Sequence, residues 1–433
     1  MKRAALHNLG CKVNAYETEA MTQLLEKAGY AIVPFNEQAE VYIINTCSVT
    51  NMADRKSRQM LHKAKKMNPD AVVVATGCYV QTATEKVMED LAIDIVIGNN
   101  RKKDIVPILE NYYSEHRKDQ NNVIDINDTS EYEDLEIATV TEHTRAHMKI
   151  QDGCNNFCSY CIIPYARGRI RSRKFENIKE EISRLAVRGF KEIVLTGINL
   201  GSYSDNDKKL IDVIEMAGTI DGIERVRLGS LDPEVITEEF VERVSKVSKI
   251  CPHFHLSMQS GCDKTLKAMN RHYTSGEYYE KCCMLREKFD NPAFTTDVIV
   301  GFPGETEEDY IESREFVKKV GFAELHVFKY SKRDGTVAAK MDCQIDERIK
   351  AERSDDLITT GQRLTENYRK NRIGQRVSVL FEEKTVINGK TYWVGHTRDY
   401  IKTALLSEEN LSGKIMEVTL KDFISNEIML ATR

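Results

Sequence analysis

No stretch of this 433-residue chain approaches the roughly 20 consecutive apolar residues that crossing a bilayer requires. The N-terminus, Met1-Lys2-Arg3-Ala4-Ala5-Leu6, also lacks the apolar stretch of a signal peptide and runs straight into domain sequence. These two absences exclude a membrane role and point to the cytoplasm, where thiols stay reduced. Positive charge is not in excess either. The formal net charge is −5, so any binding of nucleic acid must rest on local patches. Neither an internal repeat nor a low-complexity segment breaks the chain. What it does have is 11 cysteines, which in a reducing compartment argue for metal ligation or catalysis over a disulfide framework.

A chain of this length predicts two or three domains. Residues 1–113 alternate short β-branched runs (Ala4–Leu9, Val41–Asn45, Val72–Thr76, Ile93–Ile97) with helical patterns at Tyr16–Ala28, Asn51–Met67 and Gln81–Leu91. Such a βαβ series predicts a small parallel sheet covered on both faces. Residues 114–143 read as a linker, because 119–142 hold eight acids (Asp119, Asp125, Asp128, Glu131, Glu133, Asp134, Glu136, Glu142) and no Lys or Arg. Residues 144–372 resume the alternation with a longer stride. Six βα units predict a full or partial (β/α) barrel with its site at the strand C-terminal ends, followed by a helical bridge around Asp346–Arg372. From 373 to 433 the pattern changes to short strands separated by glycines, which predicts a small antiparallel β-barrel.

Cys154-Asn155-Asn156-Phe157-Cys158-Ser159-Tyr160-Cys161 follows the first predicted barrel strand directly, in a loop at the active-site face. Three thiolates on one short loop can ligate three irons of a [4Fe–4S] cluster and leave the fourth iron open. A structural zinc site normally closes with four ligands, and no fourth Cys or His stands at finger spacing. Cys11, Cys47 and Cys78 each follow a predicted strand of one parallel sheet. Strand ends of that kind share an edge, so three sulfurs can converge there, whereas a lone Cys after a strand is usually an inert core thiol. The other five, Cys251, Cys262, Cys282, Cys283 and Cys343, have no ligand spacing and read as ordinary thiols.

The C-x3-C-x-aromatic-C spacing resembles the signature of the radical S-adenosylmethionine (SAM) superfamily. Together with the three N-terminal cysteines and the C-terminal barrel, it resembles the methylthiotransferase family over nearly the whole chain. The resemblance implies a flavodoxin-like N-terminal domain holding an auxiliary [4Fe–4S] cluster on Cys11, Cys47 and Cys78. It implies a radical SAM barrel with its own cluster on Cys154, Cys158 and Cys161, and an RNA-binding TRAM domain at the C-terminus. Tyr160 would pack on the SAM adenine, while Thr196, Gly197, Ser230 and Gln259, all ending predicted barrel strands, would contact the cofactor. Leu228-Gly229-Ser230 departs from the family, which places a second serine where Gly229 stands. The implied reaction consumes two SAM molecules, one as methyl donor and one as radical source. It also needs an electron donor and a sulfur source that the sequence does not identify.

The implied partner is a transfer RNA. Arg167, Arg169, Arg171 and Arg173, in a run of five cations with no acid over residues 167–174, offer forks for the SAM carboxylate, RNA phosphates or a substrate carboxylate. A second run, Arg55, Lys56, Arg58, Lys63, Lys65 and Lys66, lies on the helix after Cys47. In the tail, Tyr392, Trp393 and Tyr400 are aromatics able to stack on bases or to fill the small barrel. Asn8-Leu9-Gly10-Cys11-Lys12-Val13-Asn14 and Thr196-Gly197-Ile198-Asn199-Leu200-Gly201 resemble the branch that acts on N6-threonylcarbamoyladenosine beside the anticodon. The alternatives are the isopentenyladenosine branch, the branch that modifies a ribosomal-protein aspartate, and a non-catalytic RNA-binding iron–sulfur protein.

Overall fold

The computed structural model describes residues 1–115, 120–136 and 144–433. Strands β1 (Arg3–Asn8), β2 (Ala31–Ile32), β3 (Val41–Thr46), β4 (Val72–Gly77), β5 (Ile95–Ile97) and β6 (Gln120–Asn122) form one parallel sheet in the order β2-β1-β3-β4-β5-β6. The first five follow the doubly wound flavodoxin-like order. Each face has its own apolar layer, one through Tyr42, Ile44, Val73 and Ala75, the other through Val41, Ile43, Val72 and Val74. Alternation within β3 and β4 supplies both layers, as period-2 side chains require. The order reverses between β1 and β3, and there a doubly wound sheet opens its ligand crevice.

Six parallel strands build the central domain: β7 (Arg145–Lys149), β10 (Glu192–Thr196), β13 (Arg225–Leu228), β14 (His253–His255), β15 (Ala293–Val300) and β16 (Glu324–Lys329). Parallel bridges Val226–Ile250 and Leu231–Leu256 join the two halves. Among the described residues β7 and β16 do not pair, so the barrel is an open arc. Two short ladders lie outside it, β8 (Gln151–Asp152) with β9 (Arg171–Ser172) and β11 (Ser204–Asp205) with β12 (Lys208–Lys209). Outward side chains such as Ile193, Leu195, Val226, Leu228, Phe254 and Leu256 form the main core with the surrounding helices. The alternate positions turn inward, so the lumen is polar: Glu192, Arg225, Arg227, His253, His255, Thr295, Asp297 and His326.

The tail closes into a five-stranded barrel in the order β17 (Arg376–Ile387), β18 (Lys390–Thr397), β19 (Lys402–Leu405), β21 (Met429–Thr432), β20 (Ile415–Phe423). β21 is absent from the sequence reading, and it closes the barrel by pairing parallel to β19. This small barrel floors the lumen. Arg225 donates to the Ser378 carbonyl at 2.8 Å and the His396 carbonyl at 3.0 Å, and Arg227 to the Arg398 carbonyl at 2.9 Å. The Tyr400 ring stands 4.9 Å from that of His253 and 4.8 Å from the Arg227 guanidinium. Trp393 is buried in the small barrel's core, and half-buried Tyr392 packs beside Val394 and Ala404. These aromatics therefore fill and dock the domain and are not free platforms for bases.

The acidic stretch is not a solvated linker over its described part. β6 extends the sheet, Glu133 and Leu135 are buried, and Asp134 pairs with Arg173 at 2.7 Å. Tyr132 donates to the Lys149 carbonyl at 2.7 Å. Composition misled here, because the acids meet cations from two other segments of the chain. Asp119 and Glu142 lie outside the described residues.

Candidate metal centres

Cys11, Cys47 and Cys78 stand where β1, β3 and β4 end, with Cys11 and Cys47 flanking the reversal point of the sheet. Cys11 is the N-cap of the helix Lys12–Lys27, which starts earlier than its apolar pattern, and Cys78 opens the short helix Cys78–Thr82. The free N–H groups and positive dipole end of a long helix favour an anionic sulfur ligand. Asn14 ties the trio's frame together. Its amide donates to the Leu9 and Thr46 carbonyls at 2.8 and 2.9 Å, bridging the ends of β1 and β3. Gly10 is required between them, because a Cβ there would lie 2.8 Å from the Cys47 sulfur. Burial pushes the Cys47 thiol up to about 11, so binding iron must displace its proton.

The second trio occupies the loop after β8. Cys154 and Cys158 are half-buried, and burial pushes the Cys161 thiol up to about 12. Donors surround the sulfurs: the Asn156 N–H at 3.5 Å and the Asn199 amide at 3.9 Å from Cys154, and an Arg271 N–H at 3.4 Å from Cys158. Such donors are what iron-bound thiolates accept. Three thiols on one exposed-edge loop with these donors fit a cubane with one open iron. Asn270, at φ +57°, holds the loop by donating to the Asn156 and Phe157 carbonyls, both at 3.2 Å. Arg271 is fixed by Asp232 at 2.8 Å and by the Tyr273 hydroxyl at 3.1 Å.

The segment after the second trio reaches back to the first. The short helix Ile163–Arg167 follows Cys161 and ends on Arg167, whose Nε lies 3.3 Å from the Cys78 sulfur. Asn99 reaches the same sulfur at 3.8 Å and the Ala166 carbonyl at 2.7 Å.

That contact revises the role of the arginine run. Arg167 is fully buried, with Glu17 at 2.5 Å, the Asn14 side-chain oxygen at 2.5 Å and Asp152 at 3.3 Å. Arg171 is buried against the Arg167 and Arg169 carbonyls, at 2.8 and 3.1 Å. Arg173 is held by Asp134 and Glu181. Only Arg169 is exposed, over the Phe157 ring at 4.6 Å. Three of the four proposed substrate forks are instead engaged within the fold: Arg167 bolts the first two domains together, Arg173 ties the acidic stretch to the central domain, and Arg171 braces its own segment. Glu17 also takes Lys149 at 2.8 Å and Lys102 at 3.1 Å. Burial pushes the Asp152 carboxyl up, but Lys149, Arg167 and Arg171 outweigh it and hold it at about 2. Arg167→Ala leaves Glu17 and Asp152 buried with one cation fewer. It should cost about 3–5 kcal/mol, read as an earlier first unfolding transition in urea.

Of the expected SAM contacts, Tyr160 is half-buried against Met269, Phe302, Tyr330 and Ala338. Thr196 is buried at the end of β10, Ser230 is exposed beyond β13, and Gln259 takes φ +66° beyond β14. All three lie on the rim that carries Asn199 and Asp232. Gly197 has a packing reason for lacking a side chain, since a Cβ would meet the Gln151 side-chain oxygen at 2.9 Å. Residues missed in the sequence include Asn156, Asn199, Asp232 and Arg271 around the loop. His255, Asp297 and His326 were also missed, though their ligand atoms lie within 4.8 Å of one another in the lumen. No spacing rule marks these, because each sits on a different strand or loop.

A six-strand arc with a three-cysteine loop after its first strand is the architecture of radical SAM enzymes, and the comparisons agree. The Radical SAM superfamily matches residues 148–317, and the uncharacterized protein family UPF0004 matches residues 3–98. A radical SAM methyltransferase from Kitasatospora setae, TsrM, shares the fold at TM-score 0.57 and 15% identity, covering 76% of this chain and 75% of that one. The threonylcarbamoyladenosine tRNA methylthiotransferase MtaB of Bacillus subtilis is 41% identical over 97% of this chain and 94% of its own length. A tRNA-2-methylthio-N(6)-dimethylallyladenosine synthase of Carboxydothermus hydrogenoformans is 36% identical over 95% of each. The chain belongs to the radical SAM methylthiotransferase family. It therefore works with SAM and two [4Fe–4S] clusters. Among the described residues no helix is long and apolar enough to cross a membrane.

Proposed function

We propose that this chain converts N6-threonylcarbamoyladenosine beside the anticodon of tRNA to its 2-methylthio derivative, in the cytoplasm. The observation that carries the reading is 41% identity to a relative of that named activity across 97% of the chain. Its residue assignment follows the geometry. Cys154, Cys158 and Cys161 hold the SAM-binding cluster, and Cys11, Cys47 and Cys78 hold the auxiliary one. When bound, these groups and SAM supply the radical that removes the C2 hydrogen and the methylthio group that replaces it.

The protein's own residues position and enclose. Arg271 and Asn199 donate to the first cluster's sulfurs, while Tyr160, Thr196, Gly197, Ser230 and Gln259 line the SAM rim. Arg167 and Asn14 fix the distance between the two trios. Residues 1–113 form the auxiliary-cluster domain, 144–372 the radical domain, and 373–433 the TRAM domain, with 114–143 as the acidic linker, of which the described residues 120–136 pack against the first two domains. The exposed cations Arg55, Lys56, Arg58, Lys63 and Lys66 offer a phosphate-facing surface beside Cys47, and Lys65 is tied to Asp94 at 2.9 Å. An electron donor and a sulfur source complete the set of partners.

The test offers the reconstituted enzyme tRNA carrying either threonylcarbamoyl- or isopentenyladenosine, and reads the 2-methylthio nucleosides by mass. A site built for a carboxylate should favour the first substrate by at least about 100-fold in kcat/KM. Turnover of the isopentenyl form alone moves the chain to the other branch.

A further inference from the structure

The central strands form an open arc, and the N-terminal domain is fastened to both of its edges. At the β7 edge, Lys149, the last residue of that strand, pairs with Glu17 at 2.8 Å, and Arg167 takes the same carboxylate. At the β16 edge the chain leaves the strand through Tyr330-Ser331-Lys332-Arg333, and this stretch reaches the residues that follow Cys47. The Asn51 N–H donates to the Ser331 hydroxyl at 3.1 Å. Arg333 donates to the Asn51 side-chain oxygen at 2.7 Å and to the Ser48 hydroxyl at 2.8 Å, and it pairs with Asp54 at 2.7 Å.

Arg333 and Ser48 are both buried, so the guanidinium has exchanged water for these partners and cannot shift without losing them. The Ser48 hydroxyl also lies 3.1 Å from that of Thr82, which donates to the Cys78 carbonyl at 3.0 Å. The grip thus extends from the neighbour of Cys47 to Cys78. Past Arg333 the same segment turns, with the Thr336 hydroxyl donating to the Arg333 carbonyl at 2.7 Å, and meets the other cysteine loop. There the Ala338 N–H donates at 2.8 Å to the carbonyl of Ser159, which lies between Cys158 and Cys161. Tyr330 and Ala338 share an apolar cluster with Tyr160, Met269 and Phe302. Residues 330–338 therefore touch both cysteine loops at once.

One bolt fixes a position and leaves a rotation free, whereas two fix an orientation. Arg167 holds the Cys78 side of the N-terminal trio, against that sulfur. Arg333 holds the Cys47 side, from the other edge of the arc. We propose that Arg333 is a positioning residue: it sets how the N-terminal trio faces the SAM rim, and thereby whether a radical formed at that rim ends in sulfur transfer. The inference rests on the substrate reading and the cluster assignment given above. Ser48, Asn51 and Asp54 are neither thiols nor rim residues, so loss of the arginine should leave both centres built and spoil the alignment between them.

The experiment compares reconstituted full-length wild type with Arg333→Met, Arg333→Lys and Asp54→Asn, on tRNA carrying threonylcarbamoyladenosine. Arg333→Met should keep its iron and still cleave SAM. It should raise the ratio of 5′-deoxyadenosine to 2-methylthio product by about 10- to 100-fold, because a misplacement of about 1 Å at a reacting centre can cost that much. Arg333→Lys should recover part of the loss, and Asp54→Asn should shift the ratio the same way by a smaller factor. A second readout does not depend on turnover. Magnetic broadening between the two reduced clusters varies steeply with their separation, and Arg333→Met should alter it. A merely structural role would lower SAM cleavage and product together, and that result overturns the inference. So does a full-iron Arg333→Met protein with the wild-type ratio and spectrum. Should Arg333→Met not load iron, Asp54→Asn carries the test, and the wild-type ratio there overturns the inference. Failure of the substrate reading looks different, because wild type would then give no 2-methylthio product from this tRNA, and the spectra alone decide the role of Arg333.

Discussion

Alanine at Cys154, Cys158 and Cys161 together should take the anaerobically reconstituted protein from about eight irons to about four, and end reductive cleavage of SAM. Each cubane needs about four irons and, in this chain, draws its ligands from a separate loop. The fold should survive the change. The loop is held by Asn270 and by the Ser159 N–H on the Met269 carbonyl at 2.9 Å, contacts that do not involve the thiols. Iron and sulfide analysis, with chromatography of 5′-deoxyadenosine, checks both parts. Stoichiometric zinc in protein purified without oxygen would sink the cluster assignment for this trio.

Alanine at Cys11, Cys47 and Cys78 should remove the other four or so irons and eliminate sulfur transfer, while SAM is still cleaved. The reason is positional. The Arg271 and Asn199 donors and the SAM rim all belong to the central domain and touch no N-terminal cysteine. The shared element is Arg167, which meets the Cys78 sulfur. Its grip on Glu17, Asn14 and Asp152 survives loss of that sulfur, so the two domains should stay docked. Assay of 5′-deoxyadenosine beside 2-methylthio nucleoside separates the two activities. Methylthiolated product from this variant would show that the N-terminal trio is not the sulfur platform. Loss of SAM cleavage as well would mean that the two centres are coupled through Arg167.

The agreement between sequence and structure is uneven, and the pattern has a cause. β3 and β4 were legible because they are continuous β-branched runs buried on both faces. The β17–β20 strands were legible from their period, but β21 was not, since Met429–Thr432 becomes a strand only by closing a barrel already formed. The acidic stretch read as solvent-exposed because composition sees charge without its partner. Glu133 accepts from the Lys103 N–H at 2.8 Å and Asp134 takes Arg173, neither of which is near in sequence.

The arginine run shows the same limit more sharply. Four arginines beside a cluster loop advertise anion binding, and the type of interaction was right. The anion for Arg167 is Glu17, 150 residues upstream, so the guanidinium fastens domains where a ligand role was expected.

By itself the sequence determined the two cysteine trios, the three-domain order, the parallel character of the first two domains and the family. Those features are written in local spacing and period, which survive without knowledge of the fold. Tertiary structure alone decided that Arg167 reaches the N-terminal trio, that the small barrel floors the lumen, and which cations are engaged. Charge pairing is a long-range contact whose partner is chosen by packing, and no local pattern encodes it.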